Sequence, residues 1–127
     1  MKILRSALGR ARGLGSARSG TEEFWRQRVT SVLGLPLIAG LLVVLWTAAG
    51  VDHATARHLI NNPLVAALLL LMILNFSIHM RLGAQIIIED YVHNVVLKPL
   101  LLMANTGLVI AVGTVGAMAT VKIALVG

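Results

Sequence analysis

Arg28 and Asp52 bracket 23 residues with no Asp, Glu, Lys or Arg; Arg57 and Arg81 bracket another 23, and Lys98 and Lys122 a third 23. A bilayer core is crossed by roughly 20 apolar residues of helix. Three such windows in a chain of 127 residues define an all-α membrane protein with three transmembrane helices. The soluble alternative, a three-helix bundle apolar all round, would leave its helices with no face for water. Composition agrees: 57% of the residues are hydrophobic and 13% charged, against about 25% charged in a typical soluble domain.

Seven cations (Lys2, Arg5, Arg10, Arg12, Arg18, Arg26 and Arg28) fall in residues 1–28, against two acids, Glu22 and Glu23. The chain is thus read as a basic N-terminal arm, 1–28, and a membrane domain, 29–127. By the positive-inside rule the arm is cytoplasmic. The 51–62 loop is then outside, the loop at 82–98 inside and the C-terminus outside; Lys122 is one contrary charge. The arm is basic and Ser-containing like an organellar transit peptide, but is expected to be kept, which favours a bacterial inner membrane over a mitochondrial one. Its expected contacts are phospholipid headgroups or an acidic protein surface, not nucleic acid. There is no cysteine, which excludes disulfides, thiol catalysis and iron–sulfur ligation by this chain.

The spans are expected at about 29–50, 62–88 and 97–122. Pro36 falls inside the first and predicts a kink. Pro63, after Asn62, and Pro99, after Lys98, fit first helical turns. Gly107, Ala111, Gly113, Gly116, Ala117 and Ala119 put small residues at spacings of three and four in the third span, which lets a partner helix approach closely. No nucleotide-binding glycine loop, Ser/His/Asp set or zinc spacing occurs, so no catalytic residue is assigned. A chain with so little mass outside the bilayer is expected to work within a larger assembly.

Polar side chains concentrate in "NFSIHMRLGAQIIIEDYVHN", Asn75 to Asn94. An ionisable group within a span is a functional candidate by default. His79 has four readings: a hydrogen bond to a neighbouring helix, a proton relay, a divalent-metal ligand or an axial haem ligand. A metal would call for more carboxylates or imidazoles at helical spacing, and a proton path for polar groups beyond Asn75 and Ser77. Gly83, at i+4 on the same face, leaves room for a flat macrocycle. A bis-histidine haem would need its second ligand from another polypeptide, because His53, His58 and His93 lie outside the spans. Asp90 and Tyr91 fall at the inner interface, where tyrosine commonly anchors a helix. A phenol there can also donate to a quinone carbonyl and supply a proton as the ring is reduced.

The stretch "IHMRLGAQIIIEDYVH" resembles the second-helix signature of the small membrane-anchor subunits of succinate dehydrogenase, or complex II, of the alphaproteobacterial and mitochondrial type. In that signature a haem-ligating histidine is followed by glycine four residues on and by Asp-Tyr eleven and twelve residues on, here His79, Gly83, Asp90 and Tyr91. The "LGR" start, the "GTE" and the "W-x-Q-R-x-T" entry into the first span are similar to the same branch, as is the helix count. The family often has a glutamine where Ile86 stands, and no role is carried to Gln85.

The resemblance implies an enzyme subunit inactive alone: the anchor of a succinate:quinone oxidoreductase, working in the respiratory chain and tricarboxylic acid cycle. Its partners would be a flavoprotein subunit, an iron–sulfur subunit and a larger cytochrome b anchor subunit. His79 would be an axial ligand of a haem b shared with that larger anchor. Tyr91 would hydrogen-bond the quinone, ubiquinone rather than menaquinone, with Asp90 beside it. Arg28 would lie near the haem propionates and Gly83 against the macrocycle. A rise of about 1.5 Å per residue puts Tyr91 at most ~18 Å along the axis from His79. The alternatives are the anchor of a related fumarate reductase, or a non-redox assembly or structural subunit whose His79 only bonds between helices.

Overall fold

The computed structural model describes residues 20–126; the seven-cation arm, apart from its last residues, lies outside them. The described residues form four helices: α1 (Gly20–Ala48), α2 (His53–Asn61), α3 (Pro63–Tyr91) and α4 (Leu97–Val126). The three long ones are each long and apolar enough to cross a membrane, as expected from the charge-free windows. Their ends run past those windows: α1 begins at Gly20, α3 continues to Tyr91 and α4 to Val126. Charge marks where a helix leaves hydrocarbon, whereas backbone hydrogen bonding continues into the headgroup layer.

The helix ends have local causes. Glu22 and Glu23 occupy the first turn of α1, where carboxylates meet the positive end of the helix dipole. The helix continues through Pro36, whose missing N–H leaves the Val32 carbonyl without its usual partner. It ends before Gly50, which adopts φ +84°, open to glycine at little steric cost. The Asn62 side chain caps α3 by accepting from Leu64 N at 2.9 Å, with Pro63 in the first turn. Asn94 does the same for α4, accepting from the backbone N–H groups of Val96 and Leu97, both at 2.9 Å.

The short α2 falls where the charge pattern predicts only a loop. Nine residues are too few for a hydropathy window, but its pattern is amphipathic: Ala56, Leu59 and Ile60 are half-buried while His53 and His58 are exposed. Asp52 precedes it and accepts from the Thr55 hydroxyl; that bond holds the exposed carboxyl below its usual range.

Helix α3 is central and runs antiparallel to α1 on one side and α4 on the other. Against α1, Gly34 faces Asn75 and Phe76, and Gly40 faces Leu68. Against α4, Gly113 faces Ser77 and Gly116 faces Ile73. The small-residue set of α4 is therefore split. Gly113 and Gly116 serve contacts within the chain, whereas a side chain at Gly107 would meet nothing within 4 Å.

Burial is inverted relative to a soluble domain. Ala66 and Leu82 are the buried hydrophobic residues, while Thr30, Asn75 and Thr120 are buried polar ones. Large apolar side chains such as Trp46 (84% exposed) and Leu64 (80%) point outward. Lipid is as apolar as leucine, so burial inside the chain gains little there, and helices associate through close packing and polar contacts.

A Cβ at residue 113 would lie 2.9 Å from Ser77 Oγ. Gly113→Leu is expected to destabilise the α3–α4 pair by about 1–3 kcal/mol, read as a lower midpoint of thermal unfolding in detergent. Gly107→Leu, at an open position, should leave the midpoint unchanged.

Candidate functional site

Two polar contacts between α1 and α3 converge on Thr30. Its hydroxyl lies 2.8 Å from the Arg26 carbonyl and 3.1 Å from the Gln27 carbonyl, one helical turn back. Its carbonyl accepts from Asn75 Nδ2 at 2.9 Å, and its Oγ1 lies 3.0 Å from His79 Nδ1. Asn75 and His79 are four residues apart and so share a face of α3. Thr30 and Asn75 are buried and His79 is half-buried.

Proton counting assigns the imidazole. A carbonyl only accepts, and a hydroxyl has one proton. With carbonyls at hydrogen-bond distance, the Thr30 proton goes to its own helix, and Oγ1 offers a lone pair to His79. That arrangement assigns the hydrogen to Nδ1. In that tautomer Nε2 is the unprotonated nitrogen, and it has no hydrogen-bond partner among the described residues.

His79 lines a cleft of about 520 Å³ with Gln27, Arg28 and Ser31 from α1 and Ile86 from α3. Arg28 holds its guanidinium carbon 5.0 Å from the centre of the Phe24 ring, a cation–π contact. Two of the residues singled out from sequence, His79 and Arg28, thus share one cavity although 51 positions separate them. Gly83 lies one turn beyond His79. A Cβ built there would meet Gln27 Nε2 at 3.7 Å, an ordinary contact, so the packing of α1 on α3 does not itself require glycine.

Asp90 and Tyr91 end α3 and are both exposed, Tyr91 to 79%. They lie outside the cleft lining. Close by, Gln85 donates to Glu23 Oε1 at 3.2 Å and to Glu89 Oε1 at 2.9 Å, and Lys98 Nζ reaches the Glu89 carbonyl at 3.1 Å. These bonds tie the start of α1, the end of α3 and the start of α4 together beneath the Asp-Tyr pair. Among the described residues, no group of three His, Cys, Asp or Glu side chains is placed to hold a metal ion.

Sequence reasoning missed Thr30, Gln27 and Gln85 as members of this region. Thr30 stands in the "W-x-Q-R-x-T" stretch, but a threonine in an apolar run has no pattern that distinguishes an interhelical acceptor from a side chain bonded only to its own helix.

The fold and this site define a small polytopic membrane subunit, with an oriented imidazole on its central helix and a basic residue beside it on the first. The chain belongs to the succinate dehydrogenase/fumarate reductase transmembrane subunit family, whose model matches residues 2–120. It is 30% identical over 81 residues to a succinate dehydrogenase hydrophobic membrane anchor subunit of Paracoccus denitrificans, a match covering 64% of this chain and 63% of that one. It is 27% identical over 88 residues to the subunit of the same name from Rickettsia bellii, covering 69% of this chain and 70% of that one. The chain thus spans a little under two thirds of the Paracoccus protein. No solved structure matches significantly.

Asn75→Ala removes the donor to the Thr30 carbonyl. It is expected to lower stability by about 1–2 kcal/mol, visible as a reduced unfolding midpoint in detergent.

Proposed function

We propose that the chain is the hydrophobic anchor of a succinate:quinone oxidoreductase, in which His79 is an axial ligand of haem b and Tyr91 and Asp90 border the site of ubiquinone reduction. The observation that carries this reading is the imidazole itself: its Nδ1 lies 3.0 Å from Thr30 Oγ1, an arrangement that leaves Nε2 available, and it shares one cleft with Arg28. Iron is bound by neutral imidazole nitrogen, and a metal-bound histidine commonly donates its other N–H to an acceptor that orients the ring.

Haem, when bound, would supply one-electron storage between the donor subunits and quinone. The chain's residues would do the rest. His79 would give Nε2 to the iron. Arg28 offers a guanidinium suited to a propionate carboxylate. Gly83 keeps the neighbouring turn free of side chain. Tyr91 presents a phenol at the end of α3, where it donates to a quinone carbonyl and passes a proton to it, and Asp90 adds a carboxylate to steer that phenol or a nearby cation.

The partners in this reading are the flavoprotein and iron–sulfur subunits and the larger cytochrome b anchor, which contributes the second axial ligand. The exposed apolar flanks of α1 and α4 leave room for that subunit and for lipid. The seven-cation arm favours a cytoplasmic N-terminus in a bacterial cell, with the end of α3 on the same side, where the soluble subunits dock.

A structural spacer whose His79 only bonds between helices would share the Thr30 contact but bind no haem. In the purified assembly, His79→Ala should remove most of the b-type haem absorbance; unchanged haem content and unchanged quinone reduction would overturn the ligand assignment. Tyr91→Phe should slow quinone reduction by about tenfold or more while succinate oxidation by an artificial acceptor persists. Gly83→Leu should lower haem content.

A further inference from the structure

We propose that Thr30 is the positioning residue of the haem ligand: its hydroxyl fixes the His79 tautomer and sets the donor strength of Nε2 toward iron. This rests on the haem reading above but adds a residue on another helix, with a role of its own.

A serine or threonine hydroxyl on a helix can bond the carbonyl one turn back, and Thr30 has two such carbonyls within 3.1 Å. That bond consumes its only proton. Toward α3 it can then act only as an acceptor, which makes it a selective partner: it favours the imidazole tautomer with hydrogen on Nδ1 and disfavours the other. A water or a freely rotating hydroxyl would accept either. The residue is itself immobilised, because Thr30 is 8% exposed and Asn75, also 8% exposed, grips its carbonyl from the same face of α3 that carries His79. Gly34 packs beside the same amide: a Cβ there would lie 3.4 Å from Asn75 Nδ2.

An acceptor on the distal N–H raises the basicity of a ligating imidazole. A neutral hydroxyl does so less than a carboxylate would, leaving the ring an imidazole rather than an imidazolate. A stronger nitrogen donor favours ferric over ferrous iron. Removing the acceptor should therefore weaken the ligand and raise the midpoint potential of the haem. The turn that carries Thr30 also carries Gln27 and Arg28 into the cleft, so a shift of α1 would reach the ligand through this one bond.

Thr30→Val keeps the shape and deletes the acceptor, Thr30→Ser keeps the hydroxyl, and Thr30→Ala is a smaller non-bonding replacement should valine not assemble. In the purified assembly with its full complement of subunits, the valine or alanine variant should retain haem about 10- to 100-fold less tightly. The haem it retains should have a higher midpoint potential and altered low-spin electron paramagnetic resonance g values. The serine variant should match the wild type in all three. In the full-length chain freed of haem, nitrogen NMR of the histidines should show His79 protonated on Nδ1 in the wild type and a mixture of tautomers in the valine variant. Wild-type potential, g values and tautomer in the valine or alanine variant would overturn the role of Thr30. A wild-type assembly without haem would instead overturn the haem reading, and the NMR comparison would still decide whether Thr30 selects the tautomer.

Discussion

The hydrogen bonds that Thr30 makes to Asn75 and His79 are the contact on which the arrangement of α1 and α3 turns. In a bilayer no water competes for a polar group, and a side chain that cannot reach water must find its partner in the protein. Asn75 and His79 face the same way from α3, and one residue of α1 satisfies both. Register follows from this. Sliding α1 by a single residue would strand a buried amide and an imidazole together, whereas sliding two apolar faces past one another in lipid would cost little.

Apart from the polar contacts near the end of α3 and those of Arg81 with Asn105 and Thr106 on α4, the packing is permissive by comparison. Glycines at 34, 40, 113 and 116 let the backbones approach, but they specify closeness and not depth. Most apolar side chains point away from the chain, with only 11%, 11% and 6% of the three spanning windows buried. Such a subunit is incomplete as a folding unit in the ordinary sense. Its helices are made by the bilayer, its register by a few polar contacts, and its outer faces are left for lipid and neighbouring polypeptides.

The candidate site was legible to different depths. His79 stood out because an imidazole in a span is costly, Gly83 was marked by its shared helix face, and the roles expected of Asp90 and Tyr91 came from the family resemblance. Arg28 could be marked from sequence only by resemblance; the cleft it shares with His79 is a product of α1 lying on α3. Thr30 and Gln85 were given no role because their types are ordinary and their partners are 49 and 62 residues away, respectively. Short α2 was missed for another reason: an interfacial helix of nine residues leaves no hydropathy signal, though the alternation of His53, Arg57 and His58 with Ala56, Leu59 and Ile60 was there to read.

The amino-acid sequence by itself determined that this chain crosses a membrane three times, roughly where it does so, and which side chains are too costly to be there by accident. Those are consequences of transfer free energy and helical rise, which act on each segment alone. Only the tertiary structure decided which nitrogen of His79 meets a partner, because Nδ1 faces a hydroxyl on another helix that also lies against two carbonyls of its own backbone. A tautomer belongs to a pair of groups, and no single stretch of sequence contains the pair.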